Sequence, residues 1–304
     1  MRIVIVSFLL LGSAAAQDIV RDVRIAMAQN NFALGEALIQ KYKQAQGTTP
    51  EMIEAVSWLG RGALAARQFD RAGAYAAEAR KLALEQLKQR KLDAEPHLPL
   101  ALGASIEVQA QVMDQSGERG EAVTFLRREL KTYWATSIRT RIQKNLHVLS
   151  LEGKPAPPLD ISHWLGPKPL PLAQLRGKPI VLFFWAHWCS DCKQQAPDLV
   201  RLASQYGSKG LLVIGPTQHY GYAAGGQDAA PQQETAYIDS IRKQFYSGLA
   251  NMPVPVSEEN FKTYGANSSP TLVLIDRKGI VRVYHPGAMS YEELAAGVQT
   301  IMAE

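Results

Sequence analysis

The sequence predicts an α/β domain in its second half, preceded by an all-α domain of helical hairpins. Three observations carry this. From Glu51 to Leu87 the chain is rich in Ala, Leu, Glu, Lys and Arg, contains no proline, and repeats its apolar residues at three and four, the period of an amphipathic helix. In the second half, short β-branched and aromatic runs (Ile180–Trp185, Leu211–Ile214 and Leu272–Ile275) alternate with stretches of helical period. Between the halves lies Gly153-Lys154-Pro155-Ala156-Pro157-Pro158, a composition suited to an extended linker. The expected boundaries are a helical domain over 17–152, a linker over 153–158 and an α/β domain over 159–304.

The chain opens with Met1 and Arg2, an apolar run Ile3–Leu11, and then Gly12-Ser13-Ala14-Ala15-Ala16-Gln17. A basic start, an apolar stretch too short to span a bilayer and an A-x-A site describe a signal peptide over 1–16, cut after Ala16. An uncleaved N-terminal anchor is the alternative. With no cysteine near the cleavage site a lipid anchor is excluded, and no other stretch is long and apolar enough to cross a membrane. The expectation is a soluble protein in the periplasm or another extracytoplasmic space. Lys and Arg exceed Asp and Glu by four over 17–154 and are balanced over 155–304. Interspersed with acids and without interleaved aromatics, that surplus describes a soluble surface and excludes nucleic acid as a partner.

Within the helical domain, Leu59-Gly60, Ala72 and Ala79, with Phe69-Asp70 at the turn, partly match the tetratricopeptide pattern, and half-matches recur at Asn31-Phe32-Ala33 and Gly117–Ala122. Their spacing is uneven, so stacked hairpins are expected and not a regular array. Such hairpins can present a groove to a peptide or protein partner, or simply pack. Glu95-Pro96-His97-Leu98-Pro99 reads as a break between hairpins, with His97 a loop residue.

The only two cysteines are Cys189 and Cys192, directly after the buried-strand run Ile180–Trp185 and before a segment of helical period that holds Pro197. At such a strand-to-helix turn Cys189 meets unpaired backbone N–H groups and the positive end of the helix dipole, which stabilise a thiolate. Cys192, one turn on, is placed to resolve a mixed disulfide at Cys189. Half of a zinc site is disfavoured because no second Cys-x-x-Cys exists. A purely structural disulfide is disfavoured too, because so short a loop restrains little chain entropy. The expected electron carrier is therefore the Cys189–Cys192 pair itself, with no metal and no other cofactor. Trp185 is expected in the core, Trp188 as a flat apolar surface for a partner, and His187 at the surface.

Trp-Cys-x-x-Cys after an apolar strand resembles the thioredoxin superfamily, and further runs resemble its TlpA/ResA-like thiol-disulfide oxidoreductases. These are Pro158–Ile161 as a short edge strand, Pro171–Pro179 as the approach to the central strand, and Phe261–Gly265, Ser269-Pro270-Thr271 through Asp276 and Lys278-Gly279 as a proline loop and closing hairpin. The resemblance covers the second half of the chain. It implies a thioredoxin-like fold with a central mixed sheet flanked by helices, a cis bond before Pro270, and a partner held by Ser269, Pro270 and Trp188. It also implies protein disulfides as substrates and a membrane reductant of the DsbD/CcdA type. Two departures stand out. Phe183 and Gln195 occupy positions where such proteins carry acids, so Cys192 needs another proton acceptor; Asp191 is the first candidate, against a simply solvated carboxylate. The loop 216–231 is long for a compact domain and reads as a partner-selecting lid or a flexible insertion, with His219 and Tyr220 its candidate polar contacts.

The expected function is an exported reductase of protein disulfides. The alternatives are a thiol peroxidase, although the Thr-x-x-x-Cys pattern is missing, and a non-enzymatic partner-binding or chaperone protein.

Overall fold

The computed structural model describes residues 18–304, so the signal peptide expected over 1–16 lies outside the described residues. The described residues divide into two compact units, one ending at Val108 and the other running from Gln109 to Glu304.

In the first unit α1 (Ile19–Ala28), α2 (Phe32–Gln46), α3 (Pro50–Ala65) and α4 (Phe69–Gln86) form consecutive hairpins. Their starts are written locally. The side chains of Asp18, Asn31 and Thr49 accept the N–H groups of Arg21, Leu34 and Met52, and Pro50 occupies a first-turn position of α3 where its missing N–H costs nothing. One stripe of α4, Ala72, Ala76, Ala79 and Ala83, is fully buried. Small residues there let α3 approach closely: a Cβ on Gly60 would stand 3.5 Å from the Ala76 nitrogen. His97 is not in a loop. It opens α5 (His97–Gln115), with Nδ1 2.8 Å from Oε2 of the buried Glu54, because a carboxylate from α3 gives it a partner that only the fold supplies.

The unit boundary falls within α5 and not at the expected linker 153–158. Helices α6 (Arg119–Thr132) and α7 (Arg139–Ser150) belong to the second unit, where α7 packs on α10 (Glu258–Tyr264). His147 Nδ1 lies 3.1 Å from the Tyr264 carbonyl, and Arg139 pairs with Glu259 at 2.7 Å. Gly265, at φ +65°, caps α10, and a Cβ there would collide with the backbone of Gln143 and Lys144. The glycine serves that close approach as well as the turn.

The α/β core is a four-stranded sheet in the order β3 (Leu212–Ile214), β2 (Ile180–Phe184), β5 (Thr271–Ile275), β6 (Val281–Pro286). β3 runs parallel to β2, whereas β5 is antiparallel to both β2 and β6, giving a mixed sheet. Alternation along β2 assigns its two faces. Val181 and Phe183 pack with Leu199 and Leu202 of α8 (Ser190–Tyr206) and with Leu294 and Val298 of α11 (Tyr291–Ala303). Ile180, Leu182 and Phe184 pack with Phe261 and Tyr264 of α10. Burial on both faces is why β2 reads as an unbroken apolar run.

The edge strand expected at Pro158–Ile161 does not form. There the Asn260 side chain holds the chain, accepting the Asp160 N–H at 2.7 Å and donating to the Asp160 carbonyl at 2.8 Å, in place of a ladder. The first strand is instead β1 (Trp164–Leu165), antiparallel to β4 (Val254–Pro255). Between β3 and β4 lies α9 (Pro231–Phe245).

Candidate active site

The turn after β2 is fixed through Trp185. Its indole N–H donates to the Gly215 carbonyl at 2.9 Å, its backbone N–H to Pro216 at 3.1 Å, and its own carbonyl accepts the buried Thr217 hydroxyl at 2.9 Å. Every polar group of this fully buried residue is thus engaged by the segment leaving β3, which sets the turn at the carboxyl ends of the parallel pair.

Cys189 is the N-cap of α8, and its sulfur accepts the Cys192 N–H at 3.0 Å. The two cysteines form a disulfide with Cα atoms 5.3 Å apart. Cys189 keeps 3% of its surface and Cys192 none. Pro197 stands within α8.

The Ser269–Pro270 bond is cis, and the Ser269 carbonyl oxygen lies 3.4 Å from Cys189 Sγ. The loop that carries it is tied by the Thr271 hydroxyl donating to Ser268 at 2.7 Å and by the Gly287 N–H donating to the Pro270 carbonyl at 2.8 Å. On the other flank Trp188 is half exposed, its ring edge-on to Tyr220 with centroids 5.6 Å apart. Cys189 thus has the half-buried Ser269 against its sulfur and the exposed Trp188 next to it in the chain, while Pro270 is buried. Asp191 is exposed, with only a 3.4 Å contact from the neighbouring Ser190 hydroxyl.

His187 corrects the expectation of a surface residue. It is 1% exposed, with Nε2 3.2 Å from the Glu234 carboxylate, and the rings of Tyr220, Tyr222 and Tyr237 pack edge-on around it at 5.3–5.5 Å. Burial holds its imidazole below the usual value of 6.5, against the pull of Glu234, so it is neutral at neutral pH. Glu234, itself buried, also accepts the N–H groups of Tyr220 at 2.5 Å and Gly221 at 2.9 Å. Nothing in the sequence marked it, because an acid in a helix's first turn is ordinary.

The two residues standing in place of acids have other tasks. Phe183 is buried edge-on to Tyr246, with ring centroids 5.8 Å apart. Gln195 accepts the Met289 N–H at 2.8 Å and donates to Asp198 at 3.2 Å, tying α8 to the approach to α11. Among the described residues no cluster of three or more His, Cys, Asp or Glu side chains is arranged to hold a metal ion.

Comparison with known proteins agrees with this geometry. Residues 153–284 match the AhpC/TSA family. The thiol:disulfide interchange protein DsbE of Pseudomonas fluorescens is 31% identical over 156 residues, 50% of this chain and 78% of that protein. The thiol-disulfide oxidoreductase ResA of Bacillus thuringiensis is 30% identical over 153 residues, 49% of this chain and 78% of that protein. The thioredoxin-like protein YneN of Bacillus subtilis is 26% identical over 145 residues, 47% of this chain and 76% of that protein. Through its thioredoxin-like domain, the chain belongs to the family of thiol-disulfide oxidoreductases that includes ResA and DsbE.

Proposed function

We propose that the protein is exported and reduces disulfides in other exported proteins. Cys189 is the nucleophile: its thiolate attacks one sulfur of the partner's disulfide, that S–S bond breaks, and the departing sulfur leaves as a thiolate that takes up a proton. Cys192 then loses its own proton and attacks Cys189, releasing the second partner thiol. Two electrons and two protons pass to the partner, and the pair is left as the disulfide. Asp191, exposed beside the pair, is the group we assign to proton transfer from Cys192, by way of water. Trp188 offers a flat apolar surface, and Ser269-Pro270 offers its backbone to an extended partner strand. The pair itself carries the electrons, without a further cofactor.

The observation that carries the reductive direction is the state of His187. A cation beside the nucleophile would stabilise the thiolate and make the couple oxidising. Here the imidazole two residues before Cys189 is buried, neutral and paired with a carboxylate, and Asp191 adds a second acid nearby. With the helix end alone to stabilise it and no cation beside it, the Cys189 thiolate is less stabilised than in an oxidising couple, which favours handing electrons on. In an oxidising compartment the dithiol must then be renewed by a reductant, which we assign to a membrane protein of the DsbD/CcdA type. The tetratricopeptide-like hairpins α1–α4 recruit or orient the partner. A peroxidase reading has less support, because Trp185 stands where the Thr-x-x-x-Cys pattern needs threonine.

Insulin reduction followed by turbidity, with dithiothreitol as electron source, tests this reading. Wild type accelerates precipitation, and Cys189→Ser falls to the uncatalysed rate; equal activity in both would overturn it.

A further inference from the structure

The long loop between β3 and α9 is built, not loose. Thr217 bonds backbone to backbone on both sides, its N–H donating to Pro255 and its carbonyl accepting Ser257 N–H, each at 2.9 Å. Further on, Ala229 N–H donates to the Gly221 carbonyl at 3.0 Å and Ala223 N–H to Gln227 at 2.9 Å, folding the tip back on itself. His219 Nε2 lies 2.8 Å from the Thr235 hydroxyl of α9. At the centre, Glu234 receives the Tyr220 and Gly221 N–H groups with one carboxylate and stands against His187. One buried side chain thus locks the loop to the turn that carries Trp188 and Cys189.

The residue this lock aims is Tyr220. Its ring lies between the His187 and Trp188 rings, at 5.5 and 5.6 Å, and packs on the core beneath the cysteines. Its hydroxyl is buried and lies near the side chains of Gln218 and Ser269 without completing a well-formed hydrogen bond to either. Tyr220 therefore spans from Trp188 to the proline loop, beside the sulfur that a partner must reach.

We infer that Tyr220 is a specificity-determining residue: with Trp188 it forms an aromatic corner that receives an apolar or aromatic side chain next to the partner's cysteine, and Glu234 is the positioning residue that holds this corner in place. The inference rests on the disulfide-reductase reading and adds the partner's chemistry to it. An extended polypeptide laid against Ser269-Pro270 places the side chain flanking its cysteine toward Trp188 and Tyr220. Paired aromatic faces are geometry-sensitive, and a rigid tyrosine provides contact area at little entropic cost. Small disulfides have no side chain to offer and bypass the corner.

The test measures second-order rates of the pre-reduced protein with two synthetic disulfide-linked peptides, identical except for Phe or Gly beside the cysteine, and with hydroxyethyl disulfide. Wild type should prefer the Phe peptide by about tenfold, the scale of one good aromatic contact. In Tyr220→Ala the preference should fall to about twofold or less. Tyr220→Phe, which keeps the ring and loses only a hydroxyl that completes no hydrogen bond, should keep the preference within about twofold of wild type. Glu234→Gln should reduce the preference as well, and should reduce it no further in the Tyr220→Ala background, because it acts through that ring. Absence of a preference in wild type, its survival in Tyr220→Ala, or additive losses in the double variant would each overturn the inference. Failure of wild type to react even with hydroxyethyl disulfide would instead sink the reductase reading beneath it. Should Glu234→Gln melt below the assay temperature, the two Tyr220 variants decide alone.

Discussion

Cys189 sits between two walls that are held in different ways. The Ser269-Pro270 wall is delivered by β5, a fully buried strand paired on both edges by β2 and β6. The Tyr220 wall is delivered by a loop that backbone bonds hold at Thr217 and that, at Tyr220 itself, one carboxylate holds in place. A wall built into a sheet shares its restraint among many backbone bonds and buried side chains, so it fails only when the domain fails. A wall hung on one side chain can be altered without unfolding anything else. The difference separates what the fold needs from what, on our inference, selects a partner.

The largest effect should come from the sheet side. Leu272→Ala empties a fully buried position of β5 and should cost about 3–5 kcal/mol, read as a fall in the denaturant midpoint with activity toward all disulfides lost in parallel. On the loop side, Glu234→Ala strips the acceptor from two backbone N–H groups and from His187. At roughly 1–3 kcal/mol per unsatisfied buried group, partly recovered by water, a loss of about 2 kcal/mol is expected. Hydrogen exchange should then quicken at 217–230 and leave β2 and β5 as in wild type. Uniform quickening across the sheet would erase the distinction between the walls. Thr217→Val, which removes the donor to the Trp185 carbonyl, should cost about 1–2 kcal/mol by leaving that buried oxygen unpaired.

Protons are the gentlest probe. Burial lowers the affinity of both His187 and His147 for a proton in the folded state. The unfolded chain, with ordinary imidazoles near 6.5, binds more protons than the folded one below that pH. Stability from these two residues is therefore complete above about 6.5 and lost as pH falls through their lowered folded values. Urea midpoints should rise from pH 5.5 to 7.5, and a falling midpoint over that interval would contradict the burial of both rings.

The same contrast explains which features were legible in the chain. The strand Ile180–Phe184, the Cys189/Cys192 turn and the hairpin at Lys278-Gly279 are written in contiguous residues, where period, turn chemistry and spacing suffice, and the cis bond before Pro270 follows from the family resemblance of Ser269-Pro270-Thr271. The closing helix is similarly local: Ser290 and Glu293 form its capping box. What escaped is non-local. Glu234 takes its role from groups 13 to 47 residues away, and His187 is buried by tyrosines that the sequence places far downstream. The expected strand at Pro158–Ile161 lost to the side chain of Asn260, and α7 joined the second unit through contacts with Tyr264 and Glu259 more than a hundred residues on. No period within α7 records those partners.

The central claim is that Cys189 meets the partner and Cys192 resolves. Each single-cysteine variant, Cys192→Ser and Cys189→Ser, has one thiol left, so mass spectrometry of its adduct with a disulfide-linked peptide reads that thiol alone. Cys189, at the N-cap of α8 and keeping a small exposed area, should form the mixed disulfide at least about a hundredfold faster than the fully buried Cys192. Adducts forming at equal rates, or faster at Cys192, would contradict the account.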